Sequence, residues 1–312
     1  MTEKLLENIG KVPITFGGAA ISGEGGGYGF GPISEKEAIS LLLEAKELGI
    51  RVFDSAPIYG FGLSEKRMGK AFKNIRDEVF ICSKSGVTWS SSKRVDMTND
   101  PKVAQKMLEQ TLRDLQSDYI DLYMVHWPDR RVDIRRPLEV FARAKEQGKI
   151  KHIGLCNSSF EDIAKASEVE KIEVLQAQFN LFEDSLKDEL FSHLDHLGIS
   201  FMSWGTLDKG ILTGRVHEKR TFEKSDARSW APWWDKKGNL VKINRLKKVW
   251  PYLEEKGYTG LEMALGHNLS NPQMSTVICG MRNSQQLRET LKALDNLPSK
   301  EVLEKVKDLL ND

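Results

Sequence analysis

The chain has 312 residues, with 46 Lys and Arg against 45 Asp and Glu and a formal net charge of +1. At 40% hydrophobic and 29% charged residues it has globular composition, which excludes a disordered, collagenous or coiled-coil chain. The near-zero charge removes the usual electrostatic footprint of a nucleic-acid binder, and no apolar run approaches the ~20 residues of a membrane span.

The first eight residues hold no apolar stretch of signal-peptide length, and the three cysteines, Cys82, Cys156 and Cys279, form no Cys-x-x-Cys. Buried free thiols in a reducing, cytoplasmic setting are the expectation. A first strand is expected over 13–18. Gly23–Gly31 follows, rich in glycine, but it satisfies neither G-x-G-x-x-G nor a Gly-Lys-Ser/Thr ending, so it reads as a loop near a pocket mouth. Ser34-x-x-Glu37 is a capping box, followed by Ala38, Leu41, Leu42, Ala45 and Leu48 at helical spacing and a stop at Gly49. Strands are expected over 50–54 and 79–84, then a long loop over 85–99 rich in Ser, Lys and Asp. Asp100-Pro101 opens a helix with Val103, Leu108, Leu112 and Leu115 on one face. Strand 120–126, helix Pro137–Gln147 stopped by Gly148, and strand 150–156 come next. Ser159-x-x-Asp162 caps a short helix before strand 173–179. Leu186, Leu190, Phe191, Leu194 and Leu197 stripe another helix, closed by Gly198, before strand 199–204. Residues 215–240 are charged and aromatic without a clean period, and strand 275–280 precedes the last part of the chain.

Helix–Gly–strand alternation argues for parallel strands with crossover helices. Eight such strands in this length fit a (β/α)₈ TIM barrel, as one domain over 1–312, with a doubly wound open sheet as the competitor. Both long loops follow strands. In a barrel they lie at the C-terminal face, where active sites are built.

Four residues stand out by position. Asp54 ends the second strand and Tyr59 follows it; Lys84 ends the third strand and His126 the fourth. Singly, each has a bland reading: a turn Asp, a solvated Lys, a hydrogen-bonded core His, a packing Tyr. A barrel brings the adjacent strand ends together. Charge at the end of an apolar run needs a partner, and Asp54 can pair with Lys84. A free tyrosine titrates at about 10, too high for an acid at neutral pH, and a neighbouring Lys⁺ is expected to lower it. His126 can donate to a substrate oxygen. Such a set protonates an oxyanion as hydride reaches a carbonyl carbon.

Phe53-Asp-Ser-Ala-Pro-Ile-Tyr-Gly60, with Ser64-Glu65 and Gly69, closely resembles the aldo/keto reductase superfamily signature. Lys84 and His126 fall where that family has the rest of its Asp–Tyr–Lys–His tetrad. The resemblance runs from the first strand to the last. It implies a (β/α)₈ barrel and NADP(H)-dependent carbonyl reduction, with Tyr59 as proton donor, Lys84 and Asp54 tuning it, and His126 orienting the carbonyl. It also implies nicotinamide contacts at Asn157, with Ser158 beside it, and at Gln178, and a ring stacked on Trp204. Gly205, Thr206, Leu207, Lys209 and Gly210 lie in a stretch resembling the family's pyrophosphate loop. Gly280, Arg282 and Gln286 match positions around the adenosine and its 2′-phosphate; Arg282 is the reason to expect NADPH over NADH. Thr290 replaces an Asn often found at the adenine contact. No metal-ligand spacing is present.

Trp89, Trp127 and Trp230, with Trp233 and Trp234, lie in loops expected to rim a pocket for a small carbonyl substrate, apolar or sugar-like. Loop self-packing or a partner interface is the other reading of Trp233 and Trp234. Arg130, Arg131, Arg135 and Arg136 form a basic cluster after His126, suited to phosphorylated or carboxylated substrates or simply solvated. Three functions stay open at this stage: a reductase, a cofactor-binding regulatory module, and a barrel enzyme of another chemistry such as a metal-dependent isomerase or Schiff-base aldolase. Neither terminus shows a separate interaction extension, which disfavours the second. Oligomeric state is not legible.

Overall fold

The computed structural model describes residues 4–23, 27–185 and 190–311. Leu186 and Gly25–Gly26, placed by the sequence in a helix and in the glycine-rich loop, lie outside the described residues. Eight parallel strands close into a barrel: β1 (Ile14–Gly17), β2 (Val52–Asp54), β3 (Phe80–Ser85), β6 (Ile120–Val125), β7 (Ile150–Cys156), β8 (Val174–Gln178), β9 (Ser200–Trp204) and β10 (Met274–Cys279). β4 (Val87–Trp89) and β5 (Val95–Met97) form a separate two-stranded hairpin. β1 closes the ring by pairing with β10 on one side and β2 on the other. All eight expected strands are present, with ends moved by a residue or two.

Local chemistry sets the helices as read. Ser34 and Ser159 each make the reciprocal capping box with Glu37 and Asp162, and Thr259 does the same with Glu262. Asp100 caps helix Pro101–Leu115 by accepting from the Lys102 and Val103 amides. Gly49, Gly148 and Gly198 all take left-handed φ, between 66° and 99°, which an L side chain resists, and so turn the chain from helix into the next strand.

Two expected loops are more ordered than the sequence suggested. Within 85–99 the chain makes the antiparallel hairpin, with Val87 opposite Met97 and Trp89 opposite Val95. Residues 215–240 include a 3₁₀ turn at Ala227–Ser229 and the start of helix Lys236–Leu246, whose Asp235 accepts from the Lys237 and Gly238 amides. Both features are short, and neither carries a long apolar period.

The strands' period of two builds the site. Leu6, Val52, Cys82, Leu122, Met124, Cys156, Val174 and Met202 belong to one apolar cluster with Phe80. Two residues further along the same strand faces come Asp54, Lys84, His126, Gln176 and Trp204. Leu6 enters that cluster from the N-terminal 3₁₀ turn Leu5–Asn8, and its amide donates to Ser200 Oγ at 3.0 Å. Lys4 ties the same segment to Asp195 at 2.9 Å and to Gln273 at 3.0 Å. A second apolar layer lies between strands and helices, from Ile14 and Phe16 through Tyr123 and Phe141 to Phe201. Among the described residues no helix is long and apolar enough to cross a membrane.

Behind β3 one carboxyl is sealed in. Glu65, fully buried on helix Leu63–Phe72, accepts from Ser83 Oγ at 2.6 Å. Burial pushes it up to about 7, although Ser83 and Thr111 pull it down. A neutral acid in the fold stabilises fully below about pH 4.5, and its contribution falls as the unfolded chain ionises first, until pH passes about 7. Glu65→Gln keeps the neutral shape. Urea denaturation across pH 4.5–8 should therefore show the wild type losing about 3 kcal/mol more than the variant; parallel curves would mean that Glu65 is ionised in the fold.

Candidate active site

Asp54 and Lys84 meet inside the C-terminal end of the barrel. Lys84 Nζ donates to Asp54 Oδ1 at 2.6 Å and to the Ser55 carbonyl at 2.8 Å. Their side chains are 0% and 3% exposed. Gln176 Nε2 donates to the same Asp54 Oδ1 at 2.8 Å. A buried charge pair is expensive to desolvate, and these three hydrogen bonds are what make it tenable. Burial works against the Lys84 ammonium, but the Asp54 carboxylate outweighs it and holds its pKa above the ordinary value.

Tyr59 leans over the pair, with Lys84 Nζ 5.4 Å from its ring centroid, and meets the His126 ring edge-on at 6.1 Å. Burial pushes the Tyr59 phenol up to about 12. Lys84 pulls it down, as expected from the sequence, but Asp54 opposes that pull and burial wins. The expected lowered pKa is thus reversed, and Tyr59 keeps its proton. Burial, with Lys84 second, holds His126 well below its ordinary value, so its ring is neutral.

Asp54, Tyr59 and His126 line one end of a cavity of about 910 Å³, with Lys84 behind them. This is at the upper end of the roughly 300–1,000 Å³ common for ligand pockets. The cavity continues past Asn157, Gln176, Gln178 and Trp204, along Gly205, Thr206, Leu207, Lys209 and Gly210, to Gly280, Arg282, Gln286 and Thr290. Asn157 takes φ +53°, which Asn tolerates; its amide donates to the His126 carbonyl at 3.0 Å and accepts from Trp204 Nε1 at 2.9 Å. Gly205, Asp208, Lys209 and Gly210 all have positive φ, between 41° and 98°. The run makes a tight turn in which the Asp208 and Gly210 amides donate to the Gly205 and Leu207 carbonyls at 2.8 and 2.9 Å. Buried Asp208 fixes the loop through Lys209 at 3.3 Å and Lys242 at 3.0 Å. Arg282 Nη2 donates to the Pro32 carbonyl at 2.5 Å, while its buried Nε has no hydrogen-bond partner.

Not every expected residue arrives. Ser158 is buried and donates to the Cys156 carbonyl at 2.9 Å, off the cavity wall. Trp89 packs on Phe61 with ring centroids 5.0 Å apart, and Trp230 lies against Tyr28 at 5.8 Å; neither lines the cavity, whereas Trp127 and Trp233 do. The four arginines after His126 are all paired, with Asp162, Asp129, Asp133 and Glu139 among their partners, and none lines the cavity. Gln176 was missed, though it sits two residues before Gln178, on the same strand face. Asp208 and Lys242 carried no sequence signal, because their meeting is purely tertiary.

The Aldo/keto reductase family model matches residues 13–311. The chain belongs to this family. It is an oxidoreductase of the (β/α)₈ class, and nicotinamide cofactors are the family's redox partners. It is 33% identical to aldo-keto reductase YhdN of Bacillus subtilis over 267 residues, covering 84% of this chain and 80% of that protein. It is 27% identical to the NADH-specific methylglyoxal reductase of Escherichia coli, covering 87% of each. Among solved structures, the glycerol dehydrogenase of Gluconobacter oxydans superposes with a TM-score of 0.82 at 25% identity, over 96% of this chain and 91% of that one.

The site's dependence on its ion pair can be measured. Lys84→Met strands Asp54 uncompensated and should cost about 3–5 kcal/mol in denaturant unfolding. The double variant Asp54→Leu/Lys84→Met should recover most of that loss. A cost below about 1 kcal/mol for the single variant would show the pair to be far wetter than its burial implies.

Proposed function

We propose that this oxidoreductase reduces aldehydes and ketones to alcohols with NADPH, and that Tyr59 supplies the proton. The observation that carries the reading is the half-buried Tyr59 phenol, still protonated, set in one cavity beside neutral His126 and the Lys84–Asp54 pair.

The residues of the long arm fit a dinucleotide. Amides at Asn157 and Gln178 can both donate and accept, as a carboxamide requires. Trp204 offers a flat face, fixed by its hydrogen bond to Asn157. The turn at 205–210, with Lys209 on the cavity wall, suits a diphosphate, and the Arg282 guanidinium farther along the wall suits a 2′-phosphate. The bound nicotinamide supplies the hydride.

The chain's own residues do the rest. The neutral His126 ring donates a hydrogen bond to the substrate oxygen and so places the carbonyl against Tyr59. As negative charge develops there, Tyr59 transfers its proton, and the fixed Lys84 ammonium stabilises the phenolate left behind. Asp54, held by Gln176, keeps that ammonium in place. The three thiols are free and buried, which fits a reducing cytoplasm.

Tyr59→Phe should lower kcat for NADPH oxidation with activated aldehydes and diketones by about 10²–10⁴-fold and leave NADPH affinity, read by cofactor fluorescence, unchanged; retained turnover would remove Tyr59 from the mechanism. Arg282→Ala should weaken NADPH about tenfold or more and NADH little, since a charge-assisted contact is worth about 1.5–3 kcal/mol. Equal losses for both cofactors would refute the proposed preference.

A further inference from the structure

We propose that the hairpin Val87–Met97 is the wall that selects the substrate, and that it accepts carbonyl compounds whose remaining chain is apolar and uncharged while rejecting those that carry a carboxylate or phosphate. The inference rests on the reductase reading, and names the substrate class for that site.

The hairpin alternates. Val87, Trp89, Val95 and Met97 share one face, and Thr88 and Asp96 the other. Val87, Val95 and Met97 from the apolar face line the cavity that holds Tyr59. Met97 is 44% exposed, an unusual state for a long apolar side chain, and a flexible thioether adapts well to varied apolar partners. Packed in one cluster with Val87 and Val95, Ile58 and Trp127 continue the apolar lining. Arg131 pins the hairpin: its guanidinium donates to the Met97 carbonyl and pairs with Asp96 at 3.4 Å, while Asp129 holds it at 2.8 Å.

Charge is absent from the same region. The loops at 55–62, 85–100 and 126–134 send no Lys or Arg to the cavity wall, and their one basic contributor, His126, is neutral. Lys84 is committed to Asp54 and the Ser55 carbonyl. Lys93 lies over the Phe61 ring at 5.3 Å. Elsewhere on the lining Lys209 and Lys242 are held by Asp208, Arg215 by Glu289 and Arg228 by Asp226, and Arg220 lies over the Phe222 ring at 6.0 Å. A carboxylate seated beside the hairpin would lose water and gain no cation from these three loops, whereas an alkyl or aryl group would cover Met97 and Val95.

Hexanal and 6-oxohexanoate test this directly. They share the aldehyde and four methylenes and differ only in a terminal methyl or carboxylate, so carbonyl reactivity is matched. The wild type should favour hexanal in kcat/KM by about 30-fold or more. Met97→Arg should narrow that ratio at least about tenfold, chiefly through a lower KM for the acid. A wild type that reduces both equally, or a variant ratio that does not move, would overturn the proposal. Calorimetric binding of hexanamide and of adipic acid monoamide, which cannot be reduced, reads the wall without turnover. Tighter binding of hexanamide supports the proposal even if neither aldehyde is reduced, an outcome that would sink the reductase reading alone. Equal or reversed affinities would sink the proposal alone.

Discussion

The ion pair between Asp54 and Lys84 is the constraint on which the rest of the site depends. Two opposite charges are held out of water at the inner end of a barrel. Such a pair survives only where the scaffold supplies the hydrogen bonds that water no longer does. Here the Ser55 carbonyl and Gln176 supply them. The pair then bears on the state of its neighbours. Burial keeps His126 neutral and Tyr59 protonated; the ammonium adds to the first effect, and the carboxylate opposes the ammonium's pull on the second. The result is a protonated phenol beside a neutral imidazole, with a fixed positive charge in reserve. Charge stabilisation of this kind is effective because it is in place before the reaction starts.

The barrel makes that arrangement affordable through layering. One strand period below the polar groups lies a plug of Val, Leu, Met and Cys side chains, and Leu6 is driven into it from the far end. The polar layer therefore rests on a dry floor and opens only toward the loops. Tyr59, His126 and the residues of the long arm share that one cavity, so the proposed chemistry and the proposed cofactor site are joined by geometry. Asn157 shows the coupling at the scale of one residue, since its amide joins the His126 backbone to the Trp204 ring.

The large features were legible because they follow from periodicity. Capping boxes, Gly stops and short apolar runs marked all eight barrel strands, and the strand ends marked Asp54, Lys84 and His126. What stayed hidden depends on tertiary surroundings. The strands of the hairpin are three residues each, too short for a pattern to stand out among Ser and Lys, although Val87-Thr-Trp89 and Val95-Asp-Met97 do alternate. Helix Lys236–Leu246 was obscured by its aromatic approach. Trp89 and Trp230 looked like pocket walls because loop aromatics usually do, yet each found another ring first. The direction of the Tyr59 shift was misread because adjacency to Lys84 is visible in sequence and burial is not. The arginine cluster looked available for anions, but its acidic partners come partly from other segments, such as Asp162 and Glu168.

The hairpin shares no ladder with the barrel; β4 and β5 pair only with each other. Substitutions on its inner face therefore leave the barrel's hydrogen bonds and apolar floor untouched. In evolutionary terms the ribbon is a detachable dial. Many side chains can be exchanged there while the ion pair and its plug are left as they are. New carbonyl specificities would then arise with little stability lost per step, and a directed-evolution library confined to this ribbon would carry few dead folds.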